Sequence, residues 1–224
     1  MSTRTILEEL GKLPVFSFSD FRKLARSSYS KALLIKLANE GIIHRLKRNR
    51  YSTHTDPYLV CPWLYSSSYI GSYSALYLRG MITQLPQDII CFTQKNPLSL
   101  SAFGTKIIYK HTKHFFGYEK MEYNNFMLPV STPEKALIDS LGCAPLHIVS
   151  ENIREMKPEK LWEYAKRMNK PTARRVAYLL DKIFGIKHKL SFGRKLLLDP
   201  LGDKSGDYSN EYAVIDNIGD IDDG

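Results

Sequence analysis

The sequence predicts an α+β protein, and three observations carry that expectation. Between Ser19 and Thr53 two short helical patterns, a glycine stop and a basic hairpin pattern follow one another. From Tyr69 onward helical and strand patterns mix, and between Lys157 and Lys195 the pattern turns helical and basic. The first stretch is the outline of a winged helix-turn-helix. The expected division is residues 1–55 as that module, 56–68 as a linker, 69–217 as a mixed α/β domain with a basic helical C-terminal part, and 218–224 as an acidic tail without fixed structure.

A first helix is expected from Thr3 to Leu10, with Ile6, Leu7 and Leu10 along one stripe and Gly11 ending it. Pro14, Val15 and Phe16 suggest a short extended entry. Ser19 then caps a short helix whose Phe21, Leu24 and Ala25 fall at i, i+3 and i+4, until Ser27 and Ser28 interrupt it. The next helix opens near Ser30, turns Leu33, Leu34, Leu37 and Ala38 inward and stops at Gly41. Ile42, Ile43 and Leu46 continue as a strand, Lys47 to Asn49 form a turn, and Arg50 to Thr53 return; asparagine accepts the positive φ of such a turn.

In this arrangement the helix that begins near Ser30 enters a DNA major groove N-terminus first. Ser28, Tyr29, Ser30 and Lys31 are then nearest the bases and phosphates, and Lys36 lies on the outward face. The hairpin carries Arg45, Lys47, Arg48, Asn49 and Arg50 where a wing meets a phosphate backbone or a minor groove. Phosphate contacts give affinity without sequence information, so base preference is expected from the helix.

Asp56, Pro57, Pro62, Trp63 and the run Ser66 to Ser68 mark the expected linker. Beyond it Ser72 is read as the cap of a helix running to Gly80, and Ile89 to Thr93 and Ile107 to Tyr109 as strands. Phe115 to Tyr123 and Phe126 to Val130, joined by Asn124 and Asn125, read as a hairpin. Thr132 and Pro133 begin a helix that continues through Ala136, Leu137, Ile138 and Leu141 to Gly142. Further helices span Pro158 to Met168 and Pro171 to Phe184, followed by a short strand within Lys195 to Asp199 and a closing strand around Tyr212 to Ile215.

The net charge of +9 is unevenly spread. Residues 1–55 hold 11 Lys and Arg against 4 acids, 56–156 hold 8 against 8, 157–198 hold 12 against 3, and 199–224 hold 1 against 8. A basic excess in the segment patterned like a DNA-binding module is the electrostatic footprint that phosphate contacts need. The second basic block has three readings: a solvated face, a second DNA contact, or a docking surface for an acidic partner, with Lys166, Arg167, Lys170, Arg174 and Arg175 as its candidate contacts. No run of about 20 apolar residues occurs, and Glu8 and Glu9 stand where a signal peptide needs an apolar core, so a soluble cytoplasmic protein without membrane contact is expected. Cys61, Cys91 and Cys143 are an odd, widely spaced set and read as buried thiols.

Enzyme motifs fail on inspection, and neither a catalytic residue, a metal site nor a cofactor is expected. Ser28 to Lys31 fits S-x-x-K, but neither K-T-G nor S-D-N accompanies it. His111 and His114 lack a suitably spaced Cys or carboxylate. Gly71 and Ser72 could open a nucleotidyltransferase site, yet the D-x-D of Asp220 and Asp222 lies far away in the tail. Tyr65, Tyr69, Tyr73 and Tyr77 read as core or interface residues more than as a platform for stacked bases.

Four segments together resemble the AbiEi family, the antitoxins and transcriptional regulators of AbiE-type (type IV) toxin–antitoxin systems. They are EGIIHRLKRNRYS (Glu40–Ser52), YIGSYSALYLRGMITQLPQDIICFT (Tyr69–Thr93), STPEKALIDSL (Ser131–Leu141) and LLLDPLGDKSGDYSNEYAVIDN (Leu197–Asn217). Asn49 departs from the glycine that the family's wing often carries. The resemblance implies a prokaryotic repressor that binds its own operator, a double-stranded DNA, and counteracts a toxin with a nucleotidyltransferase-like fold, directly or only functionally. Relatives that stand alone without a toxin imply a plain transcriptional regulator.

Overall fold

The computed structural model describes residues 2–65, 67–150, 152–190 and 193–218. The expected acidic tail, with Asp220 and Asp222, falls outside the described residues from 219 on. In chain order the elements are α1 (Thr3–Gly11), α2 (Phe18–Ala25), α3 (Ser30–Asn39), β1 (His44–Lys47), β2 (Arg50–Ser52), α4 (Pro57–Leu64), β3 (Ser68–Ile70), α5 (Ser72–Leu78), β4 (Asp88–Thr93), β5 (Leu98–Ala102), β6 (Thr105–His111), β7 (Tyr118–Tyr123), β8 (Phe126–Ser131), α6 (Pro133–Ser140), α7 (Leu146–Val149), a 3₁₀ turn (Ile153–Glu155), α8 (Pro158–Lys166), α9 (Lys170–Phe184), β9 (Leu196–Leu197), β10 (Asp207–Ser209) and β11 (Val214–Asp216). This is a mixed α+β chain. It folds as two compact units, one made of the chain up to Tyr69 with Gln87–His111 and Lys120–Pro129, the other of Ile70–Pro86, Thr112–Glu119 and the chain from Val130. The first unit thus joins the chain through the expected linker to two later segments.

In the first unit Ile6, Leu10, Phe16, Phe21, Leu34, Leu37 and Ile43 form one buried cluster that ties α1, α2, α3 and the β1–β2 hairpin together. Leu33 packs only at its margin, and Ala38 is half-buried. The cap of α2 is Ser17, where Ser19 was expected. A capping box needs a carboxylate three residues on: Ser17 has Asp20 there, whereas Ser19 has Arg22. The Ser17 hydroxyl accepts from the Asp20 N–H, and the Asp20 carboxylate accepts from the Ser17 N–H at 2.9 Å. Phe16 exchanges two 2.9 Å backbone hydrogen bonds with Tyr51, so the extended entry to α2 lies along β2. The hairpin starts at His44 and carries a bulge between Arg45 and Lys47; the preceding Ile43 is a core residue, and Ile42 is exposed.

The expected linker contains α4. Asp56 caps it through the Tyr58 and Leu59 N–H groups, Pro57 occupies the first turn, and Tyr58 to Pro62 and Leu64 are buried. A helix buried on nearly all sides has no polar face and hence no 3.6-residue period to announce it. Behind it stands most of a six-stranded sheet of order β5-β6-β4-β3-β8-β7. β4 and β6 pair in parallel from Asp88↔Lys106 to Thr93↔His111, and β5, which sequence patterning missed, runs antiparallel to β6 at the edge. Asn124 and Asn125 (φ 48° and 64°) turn β7 into β8, the expected hairpin shortened to start at Tyr118.

In the second unit α6 begins as its start signal predicts, the Thr132 side chain accepting from the Lys135 N–H behind Pro133, and ends at Ser140. Ser72 is the first residue of α5, not its cap; it is fully buried, and its hydroxyl lies 3.0 Å from that of Ser140. α8 and α9 follow, the latter capped by the Asn169 side chain on the Thr172 N–H and closed by Gly185 in the left-handed conformation. A small sheet of order β10-β11-β9 completes the unit. None of the described helices is long and apolar enough to cross a membrane.

Candidate nucleic-acid interface

The turn from α2 to α3 decides what the start of α3 can offer. Arg26 ends α2 in the left-handed conformation (φ 46°), and the Tyr29 N–H donates to the Ser27 hydroxyl at 3.1 Å. Ser30 departs from the expectation: it is 1% exposed, and its hydroxyl donates to the Ser27 carbonyl, so it locks the turn and offers nothing outward. Ser28, Tyr29 and Lys31 remain at the surface, Tyr29 at 77% exposure. No side chain caps α3, whose N-terminal end carries the positive end of the helix dipole; the Ser30 N–H donates to the Ser27 carbonyl at 3.2 Å.

Beside α3 the hairpin forms the other wall of a groove of about 910 Å³. Lys31, Arg45 and Arg48 line it together with Asn39 and Asn49, over an apolar floor of Leu34, Ile35 and Ala38. Three candidate cations, one from α3 and two from the hairpin, thus meet at one trough. Lys36 lies outside it, exposed and 3.9 Å from Glu40, a weak surface pair.

Two hairpin residues have other duties. Asn49 adopts φ 57°, and its side-chain oxygen accepts the Phe18 N–H at 2.9 Å, tying the turn to the first residue of α2. A glycine would supply the φ but not the acceptor, which accounts for asparagine here. Lys47 swings away from the tip: its ammonium lies over the Tyr65 ring, 5.5 Å from the centroid, and burial, then Arg50 and Lys95, holds its pKa below the usual lysine value. Arg50 is half-buried and donates to the Asn49 carbonyl at 3.3 Å. Sequence reasoning passed over Arg22, Lys23 and Arg26, all exposed on α2 and the turn into α3. Their clustering within five residues was the available signal.

The C-terminal candidates divide sharply. Arg174, expected at a contact surface, is 6% exposed and donates to three carbonyls: Nε to Tyr212 at 2.8 Å, Nη1 to Arg194 at 2.9 Å and Nη2 to Ala213 at 2.7 Å. Arg175 is half-buried and its Nε donates to the Leu197 carbonyl at 2.8 Å; burial, then Arg174, lowers its pKa. Both guanidiniums hold the β9–β11 segment against α9, and the buried Arg174 is not presented at the surface as the candidate role requires. Lys166, Arg167 and Lys170 are exposed, with the Arg167 guanidinium stacked 3.6 Å from the Phe116 ring centroid.

Cys61 and Cys91 are buried free thiols, and Cys143 is half-buried where full burial was expected. Among the described residues no three His, Cys, Asp or Glu side chains gather as a metal site. His111 Nδ1 donates to the Lys95 carbonyl at 3.1 Å, which makes it a brace for the loop after β4.

No protein-family model and no curated protein matches the chain. Among solved structures the fold is similar to the crystal structure of the RV2827C protein from Mycobacterium tuberculosis, with a TM-score of 0.66 over 94% of this chain and 89% of that one. At 13% identity the likeness is one of fold alone, and it extends the α+β architecture over nearly the whole length of both chains.

Proposed function

We propose that the chain is a sequence-specific, double-stranded-DNA-binding transcriptional regulator of the cytoplasm, with residues 1–55 acting as a winged helix-turn-helix. The observation that carries the reading is the groove between α3 and the hairpin, where Lys31, Arg45 and Arg48 stand together next to the exposed Ser28 and Tyr29. In this reading α3 enters the major groove, Tyr29 and Lys31 reach base edges and phosphates, and Arg45 and Arg48 hold a phosphate strand that passes through the trough. Arg22, Lys23 and Arg26 add to the positive field. The test is a mobility-shift assay with the DNA upstream of its own gene. Tighter binding than to random duplex, weakened by Lys31→Ala and Arg48→Ala, supports the reading; equal binding and indifference to both substitutions sinks it.

The resemblance of four segments to AbiEi adds the proposal that the protein represses its own operon and acts as the antitoxin of a type IV system. Its counterpart is a nucleotidyltransferase-like toxin. If the adjacent gene encodes such a protein, co-expression abolishes its toxicity; without such a gene the protein is a stand-alone regulator. A protein-interaction role for the same module is the second reading, favoured by Ile35, 52% exposed in the groove floor. A stable co-purifying partner together with no duplex binding would select it.

A further inference from the structure

We infer that the DNA-contacting surface extends beyond the three helices and the hairpin, and that Lys95, on the loop after β4, supplies a phosphate contact beside Lys47 over the ring of Tyr65. This rests on the DNA-binding reading above and adds to it a contact from the sheet.

The hairpin bulge is the first reason. In a regular strand Arg45 and Lys47 would project to the same face, because side chains alternate with a period of two. The bulge between them breaks that register, so Arg45 lines the groove with α3 while Lys47 turns to Tyr65. The hairpin therefore carries cations in two directions, as an element laid along a duplex requires if it is to meet more than one stretch of phosphates.

The second reason is that the Tyr65 site is built. Two ammonium groups lie over one aromatic ring, Lys47 at 5.5 Å and Lys95 at 5.9 Å from the centroid. The ring is fixed edge-on to Tyr109 at 5.3 Å, and Tyr109 is fully buried with its hydroxyl donating to the Cys61 carbonyl at 2.6 Å. Lys95 is held from its backbone: its N–H donates to the Thr93 hydroxyl at 3.2 Å, and its carbonyl accepts from His111. Its side chain stays exposed. An aromatic face attracts cations and so offsets part of the repulsion between the two lysines, and an anion bridging them removes the rest. Burial lowers the pKa of Lys47 most, with Arg50 and Lys95 adding, and an anion beside the two lysines would offset the like-charge part of that shift. A duplex phosphate is the ligand of choice because the site adjoins a hairpin whose other cations already line the proposed DNA groove.

Fluorescence anisotropy of the full chain on its upstream duplex, over a salt series, tests the inference. Lys95→Ala and Lys95→Gln should each weaken binding about fivefold near 0.15 M salt, lower the salt slope by about 1, and do so equally on upstream and random DNA. Lys95→Arg should keep the slope. Lys12→Ala, which removes a cation paired with Glu9 at 2.6 Å, serves as the control and should change it little. If Arg48→Ala weakens binding while both Lys95 variants match wild type, the inference falls and the DNA-binding reading stands. Equal effects of Lys95→Ala and Lys12→Ala also overturn it. If the wild-type chain binds no duplex, both fall; capture of an acidic protein through Lys95 in that case would identify the other class of partner.

Discussion

The two basic stretches of the chain, residues 1–55 and 157–198, carry similar excess charge, 11 against 4 and 12 against 3, yet put it to different uses. In the first, Lys31, Arg45 and Arg48 line an open groove. In the second, Arg174 and Arg175 turn inward onto backbone carbonyls, Lys182 pairs with Asp216 at 2.6 Å, and Lys160 pairs with Glu134 at 3.2 Å. Charge density along a sequence thus says little about charge presented to a partner. A guanidinium with five donors is as well suited to closing a loop as to holding a phosphate, and only the surroundings decide which.

The largest effect separating the two stretches is expected at Arg174. Truncation by Arg174→Ala removes charged donors from the Tyr212, Ala213 and Arg194 carbonyls, of which Ala213 keeps a bond from the Leu196 N–H, and should cost on the order of 3 kcal/mol in urea unfolding. Arg174→Lys should recover little, since one ammonium cannot reach three acceptors in a fork geometry. A loss below about 1 kcal/mol would show that the guanidinium is not what ties the β9–β11 segment down. Next comes the contrast at Arg48 and Lys31: each alanine variant should weaken DNA binding about fivefold near 0.15 M salt and leave stability within about 0.5 kcal/mol of wild type. A stability loss as large as that at Arg174 would make the two stretches alike.

Smaller effects test how the hairpin is set against α2. Asn49→Gly keeps the turn conformation but loses the acceptor for the Phe18 N–H, an expected cost of about 1 kcal/mol, while Asn49→Asp should retain most of the bond. No loss in the glycine variant would reduce Asn49 to its backbone angle. At Asp20, hydrogen bonds from Ser17, with Lys23 and Arg50 adding, hold the carboxyl below its ordinary pKa of 3.8. A depressed folded pKa gives stability that is complete above the unfolded value and lost as pH falls through the folded one. The stability gap between wild type and Asp20→Asn should therefore be constant at neutral pH and shrink in acid below about pH 4. A gap unchanged at pH 2 would contradict the capping box.

What the sequence disclosed follows the range of the interactions involved. The start of α6 at Thr132 and Pro133, the Asn124–Asn125 turn and the stop at Gly41 depend on neighbours a few residues away, and all were legible. The α2 cap was misplaced by two residues although its S-x-x-D spacing was in plain view. α4 was hidden because a helix buried all round shows no amphipathic period. At the candidate site the residue types were legible but their directions were not. Asn49 meets a partner 31 residues away, Arg174 reaches acceptors 20, 38 and 39 residues away, and the bulge that parts Lys47 from Arg45 leaves no composition mark. Ser30 looked like a surface serine at a helix start, and its burial comes from the tightness of the turn before it.

The central claim is that the cations of the α3–hairpin groove hold DNA. Its most direct test is the affinity of wild type and Arg48→Ala for the protein's own upstream duplex, measured across a range of salt concentrations. The account predicts tighter binding to that duplex than to random DNA, and a salt slope that falls by about 1 when Arg48 is removed. Indistinguishable slopes, or no preference for the upstream duplex, would contradict it.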